Sequence, residues 1–555
     1  MRASELRRDV HGRPGRLVSG VGGIWTTALA TLAVLAMLAG LLWIVAVNAF
    51  GWFWPSRISE IELRDGSMRI GLVVAREELP SEDGDSGLTE HRIQLKVGNR
   101  EITGADFLWV DEAAVRSRTT PEDLVRVVRS EYGDAFGRIV GATAADGSMV
   151  TVKSERALQG LLETGARWRR ERDRLESERN RVRRPLTRLE EELDLLERSA
   201  RSAAEEGREA IAALSDEVDA VAAHLAPRLD GLQHDLDVLD QRLLRSGLRL
   251  QSGSEELEVP LANVREVVWA NRMSLAARII HTIRKSGRFL TTEPREANTE
   301  GGIFPALFGT VLLVLLMSVA VVPLGVVTAV YMTEYARPGI VLRLANQAVN
   351  NLAGVPSIVF GMFGLAFFVY EFGGALDRGL FADRLPTPTF GTGGVLWASL
   401  TLALLTVPVV VVATREGLLA VPASWREGSL ALGATRWQTL RRIILPAAMP
   451  GILTGLILAV SRAAGEVAPL MLTGAVKLAP SLPVDGIPPF LHLQRKFMHL
   501  GFHIYDVSMQ SPNVEAAKPM AFATTLVLLL LVVSVNLTAI VVRRRLRRAY
   551  RGQVV

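Results

Sequence analysis

The sequence predicts an all-α polytopic membrane protein with six transmembrane helices, interrupted after the first by a water-exposed domain of β segments and a coiled coil. Three observations carry this expectation. Apolar runs of spanning length occur at roughly 24–47, 306–331, 355–372, 394–413, 450–474 and 520–542, and a hydrocarbon core of ~30 Å needs ~20 apolar residues per helix. Charge is segregated: residues 56–300 are rich in Arg, Glu and Asp, whereas 303–542 carry few charges, and the mean hydropathy of the whole chain is +0.24. Heptads fill much of 155–245.

The first run, Ile24–Val47, is too long for a signal-peptide core of ~7–15 residues, and Trp52 and Trp54 follow it where an interfacial belt would lie. It reads as an anchor. The expected division is a tail at 1–20, a first spanning helix at 21–55, an extracytoplasmic domain at 56–300, a core of five further helices at 301–545, and a second tail at 546–555. Orientation follows from the basic flanks. Arg2, Arg7, Arg8, Arg13 and Arg16 precede the first run, and Arg543, Arg544, Arg545, Arg547, Arg548 and Arg551 follow the last. Positive-inside placement puts both ends in the cytoplasm, the loop 414–447 with them, and 56–300 in the periplasm of the inner membrane. The same flanks account for the net charge of +5, so the charge implies membrane lipid and no nucleic acid.

Within the insertion, 57–154 alternates apolar and polar residues, as in Ile58–Leu63, with hairpin turns expected at Asp65-Gly66 and Asp146-Gly147. Leu161, Trp168, Leu175, Val182, Leu189 and Leu196 then recur every seven residues, and a second series runs from Ile211 to Leu243. The polar stretch Ser199–Gly207 is expected to turn the two runs into an antiparallel hairpin, and Pro185 to kink or restart the first. Residues 248–268 return to strand-like alternation, so the coiled coil is inserted in a β domain. Met273–Ile283 is amphipathic and suits a membrane surface. The chain has no cysteine, which excludes disulfides and thiolate chemistry. His492, His499, His503 and Tyr505 lack metal spacing, so no metal site is expected.

The loop 414–447 contains Glu427-Gly428-Ser429, Gly433, nine further residues, and Ile443-Ile444-Leu445-Pro446. This resembles the EAA loop of ABC importer permeases, with Gly428 and Ser429 in place of two alanines. A short helix over Arg426–Leu432 would end at Gly433 as its C-cap, and a second, Trp437–Ile444, would stop at Pro446. The resemblance makes Glu427, Gly428, Ser429, Gly433, Ile443, Leu445 and Pro446 the residues that couple to an ATPase. No G-x4-G-K-[ST] phosphate loop occurs, so ATP and Mg belong to a separate subunit and this chain is no enzyme.

Arg462 and Glu466 stand four apart inside an apolar run, placed by the pattern on one helical face about half-way through the hydrocarbon. Intramembrane charges face a pore, a substrate or each other. The stretch Arg462–Leu470 resembles R-x-x-G-E-T-A-P-L of PstA, the phosphate ABC transporter permease family, with Val467 in place of Thr. Gly354–Gly361 is similar to G-V-P-S-I-V-x-G of that family, and Phe497–Pro519 to the outer loop of a branch with long N-terminal insertions. The likeness covers about 285–545. It implies the type I ABC importer permease fold, and phosphate import with a PstC-like permease, a PstB-like ATPase dimer and a PstS-like binding protein. Arg462 then offers bidentate donors to phosphate, while Glu466 either accepts the substrate's P–OH or neutralises Arg462 in an empty path. Asn350 and Asn351 either line the path entrance or cap the following helix. Sulfate or molybdate import, or a coiled-coil scaffold or sensor with a permease-derived core, are the alternative expectations.

Overall fold

A computed structural model describes residues 20–79, 90–150, 155–200, 205–486, 488–511 and 514–551. The arginines of the first tail, part of the Ser199–Gly207 turn, and Pro512 and Asn513 lie outside the described residues. Helix α1, Gly20–Phe53, leads into strands β1 (Ser59–Leu63), β2 (Met68–Leu79), β3 (Glu90–Lys96), β4 (Phe107–Asp111), β5 (Val115–Thr119), β6 (Leu124–Arg129), β7 (Ala135–Thr143) and β8 (Met149–Val150). Two long helices follow, α2 (Glu155–Ala200) and α3 (Glu205–Arg245), then β9 (Gly247–Ser252), β10 (Glu255–Pro260) and β11 (Val264–Val268).

The strands form two antiparallel sheets, ordered β4-β3-β2-β1-β5 and β10-β9-β7-β6-β11. Gly66 and Gly147 both take positive φ, 83° and 81°, as Asp-Gly turns require of their second residue. Strand β7 pairs with β9, Ile139 opposite Leu250, so one sheet is completed from both sides of the helical hairpin. Helices α2 and α3 run antiparallel: Arg172 pairs with Asp240 at 3.0 Å and Arg228 with Glu178 at 3.0 Å. Leu158 and Leu243 at the hairpin base are buried in one cluster with Val125, Leu248 and Leu250, and Trp168 packs against it. Helix α2 continues through Pro185, contrary to the expected restart. A proline removes one hydrogen bond, and the antiparallel partner helix holds the axis on either side.

This attachment sets a prediction. Deleting the whole of 155–245 would strip Leu158, Trp168 and Leu243 from the sheet's core, so the cut must lie further out. Replacing 182–230 with a short Gly/Ser linker is expected to leave insertion, the sheet and transport at saturating substrate intact. Uptake assays on membranes with matched protein levels check it, and complete loss of transport would make the hairpin tip part of the mechanism.

Among the described residues six helices are long and apolar enough to cross a membrane: Ile24–Phe53, Phe304–Tyr335, Ser357–Leu380, Val395–Leu419, Arg436–Gly465 and Ala517–Arg545. The amphipathic helix α4, Leu275–Thr291, leads from the β domain to α5, Phe304–Val330. After α6 (Ile340–Leu352) and α7 (Ser357–Phe363), α8 (Val395–Leu419) forms the centre of the bundle. It is the most buried span because α5 and the helix Leu445–Gly465 flank it, and its Trp397, Leu402, Leu405 and Val410 are shielded from the surroundings. Helix α1 packs on the last span and otherwise exposes its apolar surface, as a peripheral lipid-facing helix does.

Candidate functional site: a broken helix and a coupling loop

The loop expected to couple to an ATPase is built from α9, Ala423–Ala431, and α10, Arg436–Thr439. Gly433 has φ +85°, the left-handed conformation that costs a β-carbon-bearing residue strain. Thr435 caps α10 in a reciprocal capping box with Gln438. The two short helices are pinned by a buried contact of 2.8 Å between the Ser429 and Thr439 hydroxyls. Glu427 is exposed, and Leu432 and Trp437 present 91% and 59% of their surface to the outside. Helix α10 does not stop at Pro446. It passes through a π-helical segment, Leu440–Ile444, into α11, Leu445–Gly465. Pro446 lies inside this continuous helical path, directly after a π turn in which Leu445 N–H donates to Leu440 O, and the widened turn accommodates its ring. Ile444 is buried, and Ile443 and Leu445 are half-buried at this join.

Gly428 faces open space, and a β-carbon placed there would meet nothing within 4 Å. Close approach therefore does not explain the glycine; the neighbour Ser429 is the residue that is packed. Gly428→Ala is expected to stabilise α9 by about 0.5–1 kcal/mol without loss of coupling, measured by thermal unfolding and ATPase turnover of the assembled transporter. A fall in turnover would show that the missing side chain matters to the partner.

The loop is latched by a residue that the motif does not include. The Arg426 guanidinium donates to Leu418 O at 2.8 Å, Val421 O at 3.2 Å and Glu334 Oε1 at 3.0 Å. It thereby ties α9 to the ends of α8 and of the span that contains α5. The sequence signal for it is Glu334, an acidic residue at the end of an apolar run.

The intramembrane pair sits at a helix break. Helix α11 ends at Gly465, Glu466 is extended with φ −77° and ψ 135°, and α12 begins at Ala468. The cause is Pro469: in a continuous helix its ring would collide with the carbonyl of Gly465, four residues earlier. Arg462 is thus in the last turn of α11, where a cation also favours the helix dipole, and Glu466 is not on its helical face. This corrects the placement of both residues on one helical face, since the pair spans the end of α11 and the break after it. Arg462 Nε donates to Glu466 Oε1 at 3.3 Å, with the side chains 32% and 19% exposed. Among the described residues the terminal nitrogens of Arg462 have no protein partner, which leaves a fork of donors for a ligand.

Val467 packs in the central cluster, and a β-carbon on Gly501 would come 2.9 Å from its Cγ2. The valine's isopropyl group therefore fills the contact with the α13 (Leu500–Tyr505) backbone. Ser461 Oγ lies 2.8 Å from Asn536 Oδ1, joining the pair's turn to the last helix, α14 (Val514–Arg551). Sequence reasoning misses Asn536, although it is an amide within the run 520–542.

Asn350 and Asn351 lie exposed at the C-terminal end of α6. Neither side chain caps α7, whose N-cap is Pro356 with no side-chain bond, because the turn Gly354-Val355-Pro356 intervenes. Helix α6 packs through Leu342, Ala345 and Val349 on the cluster under the coupling loop, while Val355 and Phe360 just beyond pack on the cluster with Val467. The asparagines stand between the two sites, and no hydrogen bond or ion pair joins them to Arg462 or Glu466 among the described residues.

The histidines of the loop before α14 are packing groups. His499 is fully buried and its Nδ1 accepts from Gly501 N–H at 3.1 Å. Burial pushes its imidazole down to about 3 and that of His503 to about 4, so both are neutral at ordinary pH. His492 Nε2 lies 3.0 Å from Asp485 Oδ1. Among the described residues no group of three His, Cys, Asp or Glu side chains is disposed to hold a metal.

A bundle of spanning helices, broken at a charged pair and joined through a short exposed helical loop, defines a membrane permease core. Residues 321–548 match the family described as binding-protein-dependent transport system inner membrane component. The chain is 33% identical over 261 residues to the probable ABC transporter permease protein YqgI of Bacillus subtilis (strain 168), a match spanning 46% of this chain and 82% of that protein. It is 30% identical over 241 residues to the probable phosphate transport system permease protein PstA of Methanocaldococcus jannaschii, covering 43% of this chain and 74% of that one. The phosphate transport system permease protein PstA 1 of Mycobacterium tuberculosis (strain ATCC 25618 / H37Rv) is 40% identical over 171 residues, 31% of this chain, and the chain spans half the length of that relative. The chain belongs to the family of inner membrane components of binding-protein-dependent transport systems.

Proposed function

We propose that the chain is a permease subunit of an ATP-driven importer of inorganic phosphate. The observation that carries the substrate is Arg462 beside Glu466 at the helix break, with guanidinium nitrogens left free and a carboxylate beside them; the PstA relatives are its support. Phosphate near neutral pH carries one to two negative charges and keeps a proton. The guanidinium matches its oxygens, and Glu466 accepts the P–OH hydrogen bond, which sulfate lacks. Asn350 and Asn351 lie on the route between this pair and the coupling-loop side. Both chain ends and that loop are cytoplasmic on this reading, because their arginines follow the positive-inside rule, and residues 56–300 are periplasmic.

The exposed α9–α10 unit, with Glu427, Leu432 and Trp437 uncovered, docks an ATPase dimer of the PstB kind, which supplies ATP and Mg chemistry. A PstC-like permease completes the path and a PstS-like protein delivers phosphate. Uptake of radiolabelled phosphate in a strain lacking the gene, with and without the gene restored, tests the proposal. Restored uptake of sulfate or molybdate instead of phosphate would move the assignment to that oxyanion, and no uptake of any would favour a scaffold or sensor.

A further inference from the structure

A cavity of about 770 Å³ lies where the β domain, the hairpin base, α4 and the end of α1 meet. That volume is in the range of small-molecule sites. Nine lysines and arginines line it against seven carboxylates, and the pairing is unequal. Asp134 takes both Lys96 at 2.6 Å and Arg126 at 2.8 Å. Asp106 takes Arg100, and Glu266 takes Arg288. Among the described residues Arg169, Arg265, Lys285 and Arg295 have no carboxylate within ion-pair distance. Their partners are weaker: Arg169 donates to Leu261 O, Arg295 to Arg129 O at 3.0 Å, and Lys285 to Trp52 O, with its ammonium 4.1 Å from the Trp52 ring centre.

Arg169, Lys285 and Arg295 are half-buried and Arg265 is exposed, and partly desolvated cations without a counter-charge are costly. Burial and the nearby Arg126 push the Lys285 ammonium down to about 7. Burial and the nearby Asp134 push the Glu300 carboxyl up, and its ion-pair partner is Lys96 at 3.8 Å, not one of these four cations. Arg126 Nε, on the same wall, is buried with no hydrogen-bond acceptor.

We propose that this cavity binds a phosphate group through Arg169, Arg265, Lys285 and Arg295, carried either by inorganic phosphate or by an anionic phospholipid headgroup. Guanidinium forks and an ammonium together satisfy the oxygens of such a group. The headgroup source is within reach because Trp52 closes α1, and α4 leaves Ile279, Ile280 and Ile283 exposed on its other face, as an interfacial helix does. All four cations lie outside the six spans, so the site is separate from the Arg462 pair and does not rest on the transport reading.

The test uses the full-length, delipidated protein with two probes, radiolabelled inorganic phosphate and phosphatidylglycerol in mixed micelles. The native chain is expected to bind one of them with an affinity that falls at least tenfold in the Arg265→Ala/Arg295→Ala double variant and is unchanged in Arg181→Ala, an exposed hairpin residue outside the cavity. Arg265 is exposed, so Arg265→Glu alone provides a second variant with little risk to folding, and it is expected to weaken binding likewise. Loss confined to the phosphate probe assigns the site to inorganic phosphate, and loss confined to the lipid probe assigns it to a headgroup. Absence of binding by the native chain, or equal binding by native and both variants, overturns the proposal, as does loss in Arg181→Ala alone.

Discussion

Arg462→Ala and Glu466→Gln are each expected to reduce phosphate uptake to background while membrane insertion and ATPase assembly persist. Removing one member of a partly enclosed charge pair leaves the other uncompensated, a cost of about 3–5 kcal/mol where burial is complete and less here, because the side chains are 32% and 19% exposed. A charge-assisted hydrogen bond to substrate contributes about 1.5–3 kcal/mol, so loss of either contact weakens phosphate engagement by about one to two orders of magnitude. Arg462→Lys keeps the charge but not the fork, and is expected to retain partial uptake with a raised apparent KM. Native uptake rates in the alanine and glutamine variants, at matched protein levels, would remove the pair from the path.

The second large effect is expected at the coupling loop. Gly433→Val forces a β-branched residue to φ near +85°, a strain of about 1–3 kcal/mol that shifts α9 against α10. Arg426→Ala frees α9 from Glu334 and from the carbonyls of Leu418 and Val421. Both variants are expected to insert normally, but to lose copurifying ATPase or its substrate-stimulated turnover. Glu427→Lys, on an exposed position, should impair partner binding without altering the thermal stability of the chain. An intact complex with native turnover in all three would withdraw the coupling role.

The six spans are legible because hydropathy reports transfer to lipid directly and needs no partner information. The Asp-Gly turns and the Gly433 conformation are legible for an equally local reason, since each depends on one residue's freedom in φ. The break at Glu466 is present in the sequence as Pro469, but a charge pair spaced by four reads as helical although the proline forbids that continuity. Pro446 errs in the opposite sense, because a proline that ends a helix and one accommodated by a preceding π turn look alike without the hydrogen-bond register. The junction cavity is not legible at all. Its cations, Arg169, Arg265, Lys285 and Arg295, come from the hairpin, a strand, an amphipathic helix and the segment beyond it, and none belongs to a local pattern.

The crossing of α8 and α11 beside the coupling loop carries a mechanical consequence. A β-carbon on Gly451 would lie 2.6 Å from the Gly417 Cα, and one on Gly417 3.0 Å from the Gly451 Cα, so the two backbones touch with no side chain between them. Such a contact has nothing soft to compress, and it behaves as a fulcrum. On the proposed function, a push delivered to α9 at the short end of α11 emerges as a swing at Gly465, about 20 Å from Gly451 at 1.5 Å per residue, beside Arg462 and the broken turn. On that reading the loop and the charged pair are the two arms of one lever.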